Sequence, residues 1–204
     1  MNNLSKPKFN FVGGHPCIDF VNTEILSGGK RKNLLNSFSN FMAWLVQVGL
    51  LENEQGLSAL KKWQGTTEAE TILQEALALR RTLHKMVIQL SEGEGVQKES
   101  IKAINVLLSR QVGYEQLEIG RKGFYLKHFR VVDEPAHLLV PIAEAGANLL
   151  YDSDYSLIKQ CENPECIRFF YDGTRNHSRR WCSMEACGNR MKVAAYYKRS
   201  KHKK

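Results

Sequence analysis

The sequence predicts an α+β protein in two parts: a mainly helical body with a β-hairpin at residues 1–152, then a small cysteine-stapled unit at 157–204. Three observations carry that division. Apolar residues recur at helical spacing through much of positions 38–112, and the period falls to two over 114–132. Four of the five cysteines stand as two equally spaced pairs, Cys161-x4-Cys166 and Cys182-x4-Cys187. A chain of 204 residues that is 43% hydrophobic can support one medium domain and a small appendage. The appendage is too short to fold on an apolar core alone.

The opening segment, FNFVGGHPCIDFVNTE, has an apolar piece, a break at Gly13-Gly14-His15-Pro16 and an apolar run from Cys17 to Val21. It reads as a strand or turn leading into buried structure. Residues 27–33, SGGKRKN, predict a flexible basic loop. Phe38, Phe41, Met42, Leu45 and Val48 predict a helix capped by Asn36 or Ser37 and stopped at Gly49. The strongest helical signal covers 67–91, where Thr67 and Glu70 stand at capping-box spacing. A further helix is expected over 98–112 on Ile101, Ile104, Leu107 and Leu108. Tyr114–Ile119 and Phe124–Val132 then flank Gly120-Arg121-Lys122-Gly123 as a hairpin. Pro135 suits the first turn of a helix running to Leu150, with Pro141 kinking it or delaying its start. Asp152-Ser153-Asp154 is the expected hinge.

Two thiol pairs brought together meet the requirement of a tetrahedral Zn²⁺ site, so Cys161, Cys166, Cys182 and Cys187 are the expected ligands of one structural ion. Ile167–Tyr171 and Arg180–Trp181 have strand-like composition around an Asp172-Gly173 turn, and no Gly or Pro follows Gly188, which permits a terminal helix. The order of knuckle, hairpin, second knuckle and helix resembles a treble-clef finger. Trp181, Phe169 and Phe170 are expected to pack its miniature core.

Charge is distributed unevenly. Residues 1–158 contain 17 Lys+Arg against 17 Asp+Glu, whereas 159–204 contain 12 against 4, so the whole formal excess of +8 sits on the finger. That asymmetry points to a polyanion, with double-stranded DNA the expected partner. Arg179, Arg180, Arg190 and Lys192 are the candidate phosphate or base contacts, and the terminal KRSKHKK adds non-specific attraction. The arginines have a second use, because four thiolates around Zn²⁺ carry a formal charge of −2 that neighbouring cations offset.

Outside the finger, Asp19, Asn22 and Thr23 form the best polar cluster, expected either to cap a helix or to line a small-molecule pocket. Cys17 beside His15 reads as a small buried residue. His177 reads as a surface or phosphate-contacting histidine, and Glu68, Glu70 and Glu75 as a solvated helix face. No apolar run is long enough to span a membrane and the start lacks the apolar stretch of a signal peptide, so the expected location is the cytoplasm. Reduced thiols there favour metal over disulfides. A closed four-cysteine site with no second metal cluster predicts a protein that is not an enzyme. The rival readings are a treble-clef nuclease using His177 and a finger that binds RNA or protein. The body is expected to sense a small-molecule effector or to form a homodimer.

The string RRWCSMEACGNRMKVAAYYKR resembles the signature of the CGNR zinc-finger family, spelled by Cys187-Gly188-Asn189-Arg190. FNFVGGHPCIDFVNTE, through Gly13, Gly14, Asp19, Asn22 and Thr23, is similar to the opening of the ABATE-type domain that precedes that finger. The resemblance implies a bacterial, stress-induced transcription regulator; with the charge asymmetry, the expected role is a zinc-dependent regulator that binds DNA through its finger.

Overall fold

The computed structural model describes residues 4–121 and 123–201. Lys122 of the expected hairpin turn and residues 202–204 of the basic tail lie outside the described residues. The helices are α1 (Pro16–Val21), α2 (Phe38–Gln47), α3 (Asn53–Trp63), α4 (Thr67–Ser91), α5 (Lys98–Leu108), α6 (Val140–Asp152) and α7 (Asn189–Lys201). Three two-stranded antiparallel sheets accompany them: β1 (Glu24–Ser27) with β2 (Lys30–Asn33), β3 (Gly113–Gly120) with β4 (Gly123–Arg130), and β5 (Ile158–Gln160) with β6 (Phe169–Tyr171).

Helix α4 is the spine, packed against α1, α2 and α5. Ile72, Ala76, Leu79, Leu83, Met86, Val87 and Leu90 recur every three or four residues and are all buried, which places them on one face toward the core. Each large apolar side chain so buried contributes about 1.5–3 kcal/mol, and Leu83→Ala would cost about 2–5 kcal/mol through lost contacts and a cavity. The cap is Thr66, whose Oγ1 accepts from the Ala69 N–H at 3.3 Å. It stands one residue ahead of the Thr67 that the capping-box spacing singled out, because Thr66 keeps an extended backbone (ψ 160°) while Thr67 is already helical. Helix α2 starts on Ser37, whose hydroxyl accepts from the Asn40 N–H at 3.2 Å.

Several local expectations give way. The run after His15 is helix α1 and not a strand: Pro16 fits the first turn and His15 Nδ1 accepts from the Cys17 N–H at 3.2 Å. The basic loop at 27–33 is a hairpin, since Gly28 and Gly29, with φ of +58° and +76°, supply a two-residue turn whose backbone twist matches antiparallel strands. Helix α3 has no counterpart in the sequence reading. Helix α5 ends at Leu108, short of residue 112. Residues Pro135–Leu139 form a 3₁₀ turn and the α-helix begins at Val140, with Pro141 in its first turn.

The finger is not hinged away from the body. After α6, Tyr155–Leu157 make a 3₁₀ turn and the Tyr155 hydroxyl bonds the Leu150 carbonyl. Ile158 and Phe169 are then buried within the main apolar core. The strand opposite β6 precedes Cys161, with Ile158 opposite Tyr171 and Gln160 opposite Phe169. Arg180–Trp181, expected as that partner, forms no strand; the Arg180 carbonyl instead accepts from the Glu162 N–H at 3.0 Å across the cysteine loop. Among the described residues, no helix is long and apolar enough to cross a membrane.

Candidate metal centre and its surroundings

Strand β5 delivers Cys161, the turn after it delivers Cys166, and a loop followed by a widened helical turn at Met184–Gly188 delivers Cys182 and Cys187. The four sulfur atoms lie within 4.8 Å of one another. Cys166 and Cys182 are 3.8 Å apart and Cys182 and Cys187 are 3.6 Å apart. Zn–S bonds of about 2.3 Å imply a tetrahedron edge of roughly 3.8 Å, so the spacing fits one zinc ion. It does not fit a disulfide, whose sulfurs stand about 2.05 Å apart.

The thiols are strongly coupled. The hydrogen bond between Cys166 and Cys182 holds Cys166 down to about 5 and, with burial, pushes Cys182 far up. Crowding four thiols disfavours having all of them ionised unless a cation sits among them. Donors aimed at sulfur complete the preparation. The Cys182 N–H points at Cys161 Sγ (3.4 Å) and the Asn163 side-chain amide at Cys187 Sγ (3.3 Å). Asn163 is buried, and its Oδ1 accepts from the Glu165 N–H, which shapes the knuckle.

The second knuckle turns on Ser183, whose hydroxyl accepts from the Ala186 N–H at 3.3 Å. Gly188 is required there by close approach: a Cβ would lie 2.7 Å from Met184 Sδ and 3.0 Å from Trp181 Cδ1. Phe170 is buried beside the thiols, while Phe169 faces the main core and half-buried Trp181 packs over the finger cluster.

Asp172 organises the long loop between the cysteine pairs. Its carboxylate accepts from Lys159 Nζ (2.7 Å), the Thr174 hydroxyl (2.6 Å) and the Arg179 N–H (2.9 Å). Burial alone would raise its pKa, but these donors outweigh that and hold the carboxyl well below the usual range. His177 is an exposed turn residue with φ +46°, its Nδ1 2.9 Å from the Asp172 carbonyl oxygen.

The four candidate nucleic-acid residues divide. Arg179 is partly buried and its guanidinium is committed inside the protein: Nε donates to the Trp181 carbonyl (2.9 Å) and Nη2 to the carbonyls of Val12 (2.8 Å) and Cys182, above the Phe170 ring. Arg180 is exposed, bonded to Glu162 at 2.7 Å and laid over Trp181. Arg190 is exposed with Glu165 at 3.5 Å, and Lys192 is exposed on α7.

Asp19, Asn22 and Thr23 are all buried and are taken up by hydrogen bonds within the chain. Asn22 Nδ2 donates to the Phe169 carbonyl at 2.8 Å and its Oδ1 accepts from the Phe169 N–H at 3.0 Å. One side chain thus supplies both bonds that a neighbouring strand would give the free edge of β6. The Tyr171 N–H donates to the Gly13 carbonyl at 2.7 Å. Asp19 Oδ1 accepts from the Gly13 N–H at 2.8 Å, and burial pushes its pKa up to about 6 against those backbone bonds and the attraction of Arg168 and Arg179. The Thr23 hydroxyl donates to the Phe20 carbonyl (2.6 Å) and accepts from buried Arg80 (3.0 Å). Residues 12–23 are therefore a socket for the finger. Cys17 is fully buried with its thiol pushed up to about 12, an inert core residue.

Sequence reasoning missed Asn163, Lys159 and the structural part of Asp172. Asn163-Pro164 is a turn signal between two cysteines, and that was the available clue.

Four thiolates closing on one position leave no site for water or substrate, which defines a structural zinc finger. Residues 158–200 match the profile of the CGNR zinc finger, and residues 14–153 match that of ABATE, described as "Putative stress-induced transcription regulator". The chain belongs to the ABATE family and carries a CGNR zinc finger able to hold one zinc ion. No curated protein matches it.

Proposed function

We propose that the protein is a zinc-dependent, non-enzymatic regulator that binds double-stranded DNA through its finger, in the bacterial cytoplasm, as part of a stress response. The observation that carries this reading is α7. Residues 189–200 of this helix are exposed apart from half-buried Met191, and they include Arg190, Lys192, Lys198 and Arg199. A helix with no apolar stripe turned to its own chain is not held by packing, so an anionic partner is its natural complement.

The metal's role is to hold the knuckle that launches α7. Among the described residues, the ion pairs of Arg180 and Arg190 are with the exposed Glu162 and Glu165. Exposed ion pairs contribute about 0–1 kcal/mol, so phosphate can displace the glutamates at little cost. Against nuclease chemistry, the four-cysteine group is the one His/Cys/Asp/Glu cluster close enough for a metal among the described residues, and His177 is not in it.

A second reading, single-stranded DNA or RNA, rests on exposed Tyr196 and Tyr197, which offer ring faces to unstacked bases. Fluorescence anisotropy with labelled duplex DNA, single-stranded DNA and RNA, using zinc-loaded protein and protein stripped by chelator, separates these cases. Zinc-dependent duplex binding without cleavage in added Mg²⁺ supports the proposal. Preference for single strands lost on Tyr196→Ala with Tyr197→Ala establishes the second reading, and absence of binding to all three refutes both.

A further inference from the structure

We infer that the β3–β4 hairpin is a dimerisation surface that stacks face to face on the same hairpin of a second copy of the chain. This goes beyond the nucleic-acid reading and does not depend on it.

The register sorts the side chains. Leu117 stands opposite Leu126 and Ile119 opposite Phe124, while the intervening pairs are Gln116 with Lys127 and Glu118 with Tyr125. Directly opposed residues share a face and successive pairs alternate. One face therefore carries Leu117, Ile119, Phe124 and Leu126 together.

On the other face, aromatic and charged side chains pair with one another. Tyr114 stacks on Phe129 at 5.5 Å, Lys127 lies 4.8 Å from the Phe129 ring centre, and the Tyr125 hydroxyl donates to Glu118 at 2.7 Å. The hairpin is tied down near its base, where Gln55 donates to the Arg130 carbonyl at 2.9 Å and Arg130 pairs with Glu144. The apolar face is left bare: Leu117 is 62% exposed, Leu126 65%, Phe124 74% and Ile119 82%.

A two-stranded hairpin is marginal in water unless one face is covered, and contiguous apolar patches of this kind mark interaction sites. The area argues for a second copy. The four residues together leave on the order of 600 Å² uncovered, so a twofold pair that covered them completely would bury up to about 1,200 Å², the lower end of what stable interfaces bury. Two sheets stacking about 10 Å apart would interdigitate these side chains as in a β-sandwich. None of the four is charged; Glu115, the next residue of this face toward the base of the hairpin, lies outside the patch, so a twofold axis through the four residues brings no like charges of the cluster together.

The test is sedimentation velocity on the zinc-loaded full chain from about 1 to 100 μM. The wild type should shift from monomer to dimer across that range. Ile119→Glu with Phe124→Glu should weaken dimerisation about 100-fold or more while zinc content and circular dichroism stay wild-type. Gln116→Glu, on the opposite face, should leave it unchanged. A wild type monomeric throughout, or a double variant that still dimerises, overturns the proposal. Should the double variant misfold, hydrogen exchange of the wild type at the two concentrations decides: added protection confined to residues 113–130 supports the contact, and its absence there overturns it.

Discussion

The body and the finger hold their shapes by different means. In the body, Phe20 packs against Trp44 at 5.0 Å within a continuous core that also takes Phe41, Leu83, Met86 and Ile142 out of water, and apolar burial is sufficient. The finger's own buried cluster is Phe170 with three cysteines, edged by Val12, Cys166 and Trp181. So small a core does not offset the ordering of some forty residues, and the deficit is made up from two outside sources. One is the metal, which joins two knuckles far apart in the loop. The other is the socket at 12–23, which closes the open edge of β6 with Asn22 and the Gly13 carbonyl. The finger is thus a part of the body's surface that zinc completes, and its basic helix is displayed from a fixed base.

The largest difference should appear on breaking the metal site. Cys187→Ser, or zinc removal by chelator, should abolish stoichiometric zinc and leave residues 161–190 open to protease, while most helical circular dichroism survives because α2 to α6 keep their core. Loss of all helical signal would mean that the body depends on the finger as much as the finger on the body.

A smaller effect should follow from the socket. Asn22→Leu removes two buried hydrogen bonds and leaves the Phe169 N–H and carbonyl unpartnered, costing about 2–4 kcal/mol. Protection of residues 158–172 from hydrogen exchange should fall further than that of α4. Uniform loss across the chain would contradict the separate role given to this clamp.

Smaller still is the pH dependence of Asp19. Its folded pKa of about 6 lies above the ordinary 3.8, so the native state binds the proton more tightly than the unfolded state. Its contribution is therefore fully present below about 4 and is lost as pH rises through about 6, an effect on the order of 2–3 kcal/mol. Asp19→Asn cannot titrate, so its denaturation midpoint relative to wild type should climb between pH 4 and 6.5. A constant difference over that window would show that Asp19 is not desolvated as described.

What could be read in advance followed from signals that are local in the chain. The stripe from Ile72 to Leu90 and the spacing of the four cysteines are statements about neighbours, and both carried over. Helix α3 escaped because Asn53–Trp63 buries only Gly56, Ala59, Leu60 and Trp63, and its cap is Glu52 reciprocated by Gln55, not a Ser or Thr. The hairpin at Glu24–Asn33 was hidden by Lys30-Arg31-Lys32, a charged strand that turns no apolar face inward. The socket was beyond reach for a different reason: Asn22 and Phe169 lie 147 residues apart, and a polar residue that caps a remote strand has the same local appearance as one that caps a helix or lines a pocket. Arg179 was grouped with Arg180 on charge alone, and only the fold separates a guanidinium holding three carbonyls from one facing water.

The measurement that bears most directly on the finger as the nucleic-acid surface is the salt dependence of duplex DNA binding. Each phosphate neutralised contributes about −0.9 to the slope of log K against log salt, and four to six contacts give about −4 to −5. Arg190→Ala with Lys192→Ala should reduce the magnitude by about two. Arg179→Ala should instead destabilise the finger and leave the slope of the folded, zinc-loaded fraction nearly unchanged. Arg81→Ala with Lys85→Ala, two exposed cations of α4, serves as the body control; Arg80 is unsuitable because it is buried against Thr23, Asn33 and Glu24. A slope that falls in the finger variant and holds in the body variant is the expected result. Equal weakening by the body variant, or binding that ignores salt, would contradict the assignment of nucleic-acid binding to the finger.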